Sequence, residues 1–329
     1  MYTTDQKVLF AFPGQGSQYP GMGSDLYQEY AIARKTYETA GDVLGYDIAE
    51  LSFKDPEDKL NLTRFTQPAL LTHSIACLEV FRDRTDDRVK PVMTAGHSLG
   101  EYSALVAAQA LSFESALKLV QKRGELMGTH GEGEMTAFPL DIDTIRPIAE
   151  RYHCAIAGCN LPEQTVIGGR SEDLAPVEQL VLDQFRRKRP VRLKTEGAFH
   201  TYYMVKAAQL YRAVLDDAEF ALSDVRVLSN FTGAYHQSDP QDIKARLFFQ
   251  LFHPVMWYSN LQTAFADGIN MVIEFGGGIG TASEPEAKRP NLEGMIKKAL
   301  RGTEYDVQYR SAINKQTLEG SVGSILGDQ

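Results

Sequence analysis

The chain has 329 residues, enough to bury a substantial core as one large domain or as a main domain carrying an insert. Hydrophobic residues make up 43% and charged residues 23%, and the net charge of -9 excludes general nucleic-acid binding, because nothing would offset phosphate repulsion. No apolar run approaches the roughly 18 residues of a membrane span, no basic-then-apolar secretory pattern opens the chain, and Cys77, Cys154 and Cys159 lack disulfide or metal spacing, so a cytoplasmic protein with reduced thiols is expected.

The first element is a strand, Val8 to Phe12, running into the glycine-rich turn Pro13-Gly14-Gln15-Gly16-Ser17-Gln18. Apolar residues at spacings of three and four then predict helices over Ser24 to Leu44 and Thr66 to Asp83. A short apolar run, Val92 to Ala95, meets Gly96-His97-Ser98-Leu99-Gly100 and a small-residue helix from Tyr102 to Leu111. Ser112 is a plausible N-cap for a further helix reaching Met127. Strand-helix alternation of this kind indicates a parallel α/β sheet.

Between about Glu132 and Lys194 the texture changes. Strand 135–140, helix 143–152, strands 154–158 and 165–169, helix 173–185 and strand 191–194 read as β-α-β-β-α-β, the ferredoxin-like unit, inserted into the main body. Val225 to Asn230 and Met271 to Phe275 read as further strands of the main sheet. The expected division is 1–130 with 198–302 as a discontinuous large subdomain, 131–197 as the small one, and 303–329 as a polar, weakly patterned tail without an assigned role.

The chemistry centres on Gly96-His97-Ser98-Leu99-Gly100, a nucleophile-elbow pattern that lifts a serine onto a tight turn between strand and helix. Ser98 is thus a candidate covalent nucleophile for acyl transfer, with the Leu99 N–H placed at a helix N-terminus to meet an oxyanion. A serine hydroxyl needs a base within hydrogen-bond reach. Of the seven histidines, His97 adjoins the serine and points away from it, leaving it to buttress the turn. His200, in Gly197-Ala198-Phe199-His200-Thr201, is the better candidate, where the insert returns the chain to the main body. The glycine-rich turn lacks the Lys-Ser/Thr ending of a phosphate-binding loop.

Six separated motifs carry a family resemblance: Phe12-Pro13-Gly14-Gln15-Gly16-Ser17-Gln18, Gln67-Pro68-Ala69-Leu70, Gly96-His97-Ser98-Leu99-Gly100-Glu101, Arg123-Gly124-Glu125-Leu126-Met127, Gly197-Ala198-Phe199-His200 and Pro254-Val255-Met256-Trp257. In this order, over about the first 300 residues, the chain resembles the malonyl-CoA:acyl carrier protein transacylases, including the free-standing acyltransferases of polyketide synthases. The resemblance implies an α/β-hydrolase-like large subdomain with an inserted ferredoxin-like small subdomain. It also implies a malonyl-serine ester on Ser98, His200 as the base, the backbone carbonyl of Gln250 orienting that histidine, and the N–H groups of Gln15 and Leu99 as the oxyanion hole. Arg123 would bind the malonyl carboxylate through two parallel hydrogen bonds, among substrate-binding residues that include Gln67, Phe199, Met127 and Asn160. Leu99 and Phe199 resemble malonyl-selecting relatives, in which the bulky Phe199 crowds an α-methyl branch.

The implied partners are a coenzyme A thioester and a phosphopantetheinylated acyl carrier protein, with no metal or redox cofactor, no nucleic acid and no membrane, and a monomeric state. The basic run Arg186-Arg187-Lys188-Arg189, with Arg192 and Lys194, would suit an acidic carrier protein. Departures from the family pattern are Gly158-Cys159-Asn160 for Asn-x-Asn, Gly276-Gly277-Gly278 for Gly-Pro-Gly, and Thr201-Tyr202-Tyr203-Met204 after the histidine. The rival readings are an acyl-carrier hydrolase, in which water replaces the thiol, and a non-catalytic carrier-docking subunit. Retained Arg123 argues against the first, and the intact Ser98, His200, Arg123 and Gln15 argue against the second, since a scaffold needs none of them.

Overall fold

The computed structural model describes residues 6–327. Among the described residues nine strands form two sheets: β1 (Val8–Phe12), β2 (Met93–Gly96), β3 (Glu134–Phe138), β4 (Ala155–Leu161), β5 (Gln164–Gly169), β6 (Val191–Leu193), β7 (Arg226–Val227), β8 (Met271–Phe275) and β9 (Gln308–Ala312). The larger sheet is parallel throughout, in the order β7-β2-β1-β8-β9. Every residue of β1, β2 and β8 is buried, as expected of parallel strands covered by helices on both faces. Alternation along β1 divides the core. Phe10 and Phe12 meet Phe275 and Phe81 on one face, whereas Leu9 and Ala11 join Trp257, Leu261 and Ile296 on the other.

The smaller sheet is antiparallel, in the order β4-β5-β3-β6, which is the ferredoxin-like arrangement. Helices Ile142–Arg151 and Ser171–Gln184 cover one face, where Ile145, Leu174 and Val177 pack on Phe138 and Ile167. At β4 the smaller sheet is tied to Val255, just before helix Trp257–Ala266, in the core cluster that packs on Leu9 and Ala11 of the larger sheet. Cys159 N–H donates to the Val255 carbonyl at 2.8 Å, and Val255 N–H donates to the Ala157 carbonyl at 3.0 Å. A cleft is left between the two sheets. Among the described residues no helix is long and apolar enough to cross a membrane.

Four sequence-based expectations change. The helix expected over Ser24 to Leu44 is two helices, Ser24–Glu29 and Ala31–Leu44, because Tyr30 is extended and the Arg34 guanidinium takes up the freed carbonyls of Tyr27 and Gln28. The helix after the elbow starts at Gly100 and ends at Ala107, earlier than Leu111, as Gln109 turns to a φ of 60°. The strand expected over Val225 to Asn230 is in register with β2 only at Arg226 and Val227, and after Leu228, which bridges Tyr235, the chain turns to deliver Asn230 to the elbow. The stretch after 302 is no appendage. Its β9 pairs with β8 over all five residues, and helix Lys315–Leu326, started by a capping box between Asn314 and Thr317, buries Leu318, Val322 and Ile325. Residues 1–5 and 328–329, included in the expected domain ranges, lie outside the described residues.

Candidate active site

At the C-terminal end of β2 the chain turns through His97 and Ser98 into helix Gly100–Ala107. Ser98 has a φ of 53°, a left-handed conformation costing a non-glycine residue on the order of 1–3 kcal/mol. The surroundings enforce it. The Asn230 side chain spans the turn, accepting from the Ser98 N–H at 2.5 Å and donating to the Gly96 carbonyl at 2.7 Å. A Cβ on Gly96 would overlap the Gly100 backbone, and one on Gly100 would overlap the Phe12 carbonyl. We therefore expect Gly100→Ala to destabilise the protein by at least about 3 kcal/mol, measured from urea midpoints, because backbone and not a movable side chain blocks the methyl group. A loss below about 1 kcal/mol would show that β1 can move away from the turn.

Ser98 Oγ lies 2.7 Å from His200 Nε2, and His200 Nδ1 lies 2.7 Å from the Gln250 carbonyl. A carbonyl only accepts, so Nδ1 carries the proton and Nε2 is free to receive one from the serine. Burial, then the nearby Arg123 cation, push the His200 pKa down to about 3, keeping the ring neutral at physiological pH. The acid limb of kcat/KM should accordingly fall at least ~1 pH unit below the ordinary histidine value of ~6.5. Removing the cation relieves one cause of the depression, so with acetyl-CoA as substrate Arg123→Ala should move that limb back up. A wild-type limb at ~6.5 would contradict this.

Arg123 is on helix Phe113–Thr129 and only 1% exposed. Its Nη2 donates to Gln250 Oε1 at 2.9 Å and approaches Ser98 Oγ at 3.3 Å, while its Nε is buried without a partner. Those partners are neutral, and none of the ion pairs among the described residues includes Arg123. A buried cation beside a nucleophile, with hydrogen-bonding capacity unused, has the chemistry to receive an anion.

These groups open into a cavity of about 940 Å³ between the two sheets. Gln15, Gln67, Leu99, Met127, Asn160 and Phe199 line it together with Ser98, His200 and Arg123. Gln250 lies behind the wall and reaches the site through its hydrogen bonds. Gln67 Nε2 stands 3.5 Å from Met127 Sδ, so these two residues contact each other along the cavity wall. Asn160 Oδ1 meets His97 Nε2 at 2.8 Å, and the His97 ring packs edge-on against Trp257, which gives His97 its buttressing position. The turn bonds use the N–H groups of Gly100 and Glu101, leaving out that of Leu99. A side chain at Gly14 would strike the His97 carbonyl, so glycine there lets the Gln15 backbone lie against the elbow.

The basic run is partly neutralised, with Lys188 paired to Glu163 and Arg192 to Glu178 and Glu134. Sequence reasoning assigned no role to Asn230, Glu101 or His236. Glu101 stood inside the elbow motif, but nothing local to Asn230 or His236 ties either to a turn more than 100 residues away.

Serine-based acyl chemistry is the class this geometry defines: a half-buried nucleophile on a strained elbow, a base with its tautomer fixed, and a cleft over both. Residues 9–276 match the acyl transferase domain family. The chain is 37% identical to the malonyl CoA-acyl carrier protein transacylase of Bacillus subtilis, across 90% of this chain and 91% of that protein. It is 36% identical to the polyketide biosynthesis malonyl CoA-acyl carrier protein transacylase PksC of the same organism, across 79% of this chain and 90% of that one. Among solved structures, the MCAT of Streptococcus pneumoniae superposes with a TM-score of 0.85 at 32% identity, over 97% of this chain and 100% of that one. A malonyl-transacylase solved with a type II PKS acyl-carrier protein (PlMCAT:AntF) superposes with a TM-score of 0.86 at 29% identity, over 97% of this chain and 100% of that one. The chain belongs to the malonyl CoA-acyl carrier protein transacylase family of acyl transferases.

Proposed function

We propose that the protein transfers a malonyl group from malonyl-CoA to the phosphopantetheine thiol of an acyl carrier protein, supplying extender units for polyketide or fatty acid synthesis. The observation that carries this reading is the buried Arg123 beside Ser98 Oγ, hydrogen-bonded to neutral partners, with its Nε unused and no carboxylate paired to it among the described residues, a counter-charge for a carboxylated acyl group. In the first half-reaction Ser98 Oγ attacks the thioester carbonyl while its proton passes to His200 Nε2. The oxyanion is met by the N–H groups of Gln15 and Leu99, the carbon–sulfur bond breaks, and His200 passes its proton to the departing sulfur, so that coenzyme A leaves as the thiol and the ring is neutral again. In the second, His200 takes the proton of the carrier thiol, the thiolate attacks the malonyl-serine ester, and the proton returns to Ser98.

Throughout, Arg123 holds the malonyl carboxylate, and Phe199 crowds an α-methyl branch, worth about 1–3 kcal/mol of discrimination. The serine is itself the covalent carrier, so the cycle calls for no metal or redox cofactor. One chain supplies every group, which fits a monomer, and the three buried free thiols fit the cytoplasm. Lys194 and Lys298 at the cavity, with Arg189 and Arg301 in an adjoining cavity of about 560 Å³, offer cations to an acidic carrier and to coenzyme A phosphates.

The test is incubation with labelled malonyl-CoA, with and without phosphopantetheinylated carrier protein, scoring acyl-enzyme, acyl-carrier and free acid. Label should rest on the enzyme alone and move to the carrier when it is added. Release mainly as free acid would make the protein a hydrolase.

A further inference from the structure

Behind the elbow lies a buried chain of hydrogen bonds that the catalytic steps do not use. Glu101, fully buried in the first turn of helix Gly100–Ala107, meets His236 Nε2 through Oε1 at 2.7 Å. Its Oε2 accepts from the Asn230 backbone N–H at 3.0 Å and from Gln250 Nε2 at 2.7 Å. Gln250 Nε2 also donates to the Ser98 carbonyl at 3.0 Å, and Gln250 Oε1 accepts from Arg123 Nη2 at 2.9 Å.

The polarity of this chain is determined by groups that have no choice. A backbone N–H only donates, so the Oε2 facing Asn230 is an acceptor; the Ser98 carbonyl is an acceptor as well; a guanidinium only donates. Between two acceptors on one side and a donor on the other, the Gln250 amide has one orientation. Its NH2 faces Glu101 and Ser98, and its oxygen faces Arg123. Reversed, it would set NH2 against guanidinium and oxygen against oxygen, leaving buried polar groups unpaired at a cost of kinetic consequence.

We propose that Glu101 is a positioning residue for substrate selection: through the Gln250 side-chain amide it aims the Arg123 guanidinium at the acyl pocket. This rests on the reading that Arg123 holds the substrate carboxylate. One residue, Gln250, then serves two reactive partners by separate atoms, His200 through its backbone carbonyl and Arg123 through its side chain. The side chain can be changed without touching the carbonyl that orients the histidine.

The readout is the ratio of kcat/KM for malonyl-CoA to that for acetyl-CoA, which carries no carboxylate. Glu101→Met and Gln250→Met should each lower this ratio at least 10-fold, and the double variant should fall no more than 3-fold below the lower single one, because both break the same chain. Glu101→Gln retains an acceptor for Asn230 and Gln250 and should keep at least a third of the wild-type ratio. If Glu101→Met does not fold, Glu101→Asp, which draws the carboxylate back by about 1.5 Å, the length of one carbon–carbon bond, should lower the ratio at least 5-fold. Equal losses for both acyl groups in the Glu101 variants, or fully additive effects with Gln250→Met, would overturn the proposal and leave Glu101 a structural residue. Arg123→Ala in the same assay separates the two levels. A shifted ratio there with an unshifted ratio in the Glu101 variants removes this inference alone, whereas an unshifted ratio there removes both.

Discussion

Ser98→Ala should abolish the covalent acyl-enzyme and reduce transfer by about 10⁴-fold or more, the scale on which removal of a serine nucleophile acts. The loss should be chemical. Ser98 Oγ contacts His200 and Arg123, but the turn itself is shaped by Asn230 bridging the Ser98 N–H and the Gly96 carbonyl, and by the close approach of Gly96 to Gly100. Thermal unfolding should therefore stay within a few degrees of wild type while activity disappears. His200→Ala should slow both half-reactions, since the same ring receives the proton from Ser98 and later from the carrier thiol. Intact-mass detection of a malonyl adduct on the Ser98→Ala protein would assign the nucleophile elsewhere.

Arg123→Ala should lose malonyl transfer far more than acetyl transfer. A charge-assisted bidentate contact in a desolvated pocket contributes about 2–4 kcal/mol, a difference in kcat/KM on the order of 30- to 1000-fold. Acetyl-CoA carries no carboxylate, and the variant removes a buried charge that such a substrate leaves unpaired, so acetyl transfer should hold or rise. Gln250 Oε1 would lose its donor, a cost independent of which acyl group is bound. Steady-state kinetics with the two thioesters separate these effects, and equal losses for both would reduce Arg123 to a packing residue.

How much of this was legible in the sequence depends on whether the signal was local. β1 and β8 keep their expected limits because a parallel strand buried on both faces reads as a near-continuous apolar run, broken in β8 only by Glu274, whose carboxylate accepts from the Asn291 and Leu292 N–H groups. Ser112 caps its helix as expected, accepting from Ser115 N–H. The elbow was readable because its glycines are a steric necessity of close backbone approach. β9 was missed for the opposite reason. Gln308-Tyr309-Arg310-Ser311-Ala312 is an edge strand with only Ala312 buried, and its pairing comes from β8 and not from its own apolar pattern. Arg310 and Gln308 hid it.

Tyr30 broke a helix that apolar spacing had joined, because the break is stabilised by Arg34, four residues further on. In the site, the residues carried by motifs gather round one cavity, whereas the polar chain of Asn230, Glu101 and His236 assembles from segments far apart in sequence. No local pattern encodes a hydrogen bond that spans 135 residues.

The central claim is that one malonyl group passes from Ser98 to a carrier thiol, and isolating the intermediate tests it most directly. The enzyme is mixed with labelled malonyl-CoA, freed of coenzyme A, mapped by proteolysis and mass spectrometry, and then mixed with phosphopantetheinylated carrier protein. The account predicts label as an ester on the peptide containing Ser98, and its quantitative transfer to the carrier without fresh malonyl-CoA. Label on another residue, or a Ser98 ester that decays to malonate in the presence of carrier without ever reaching the thiol, would contradict it.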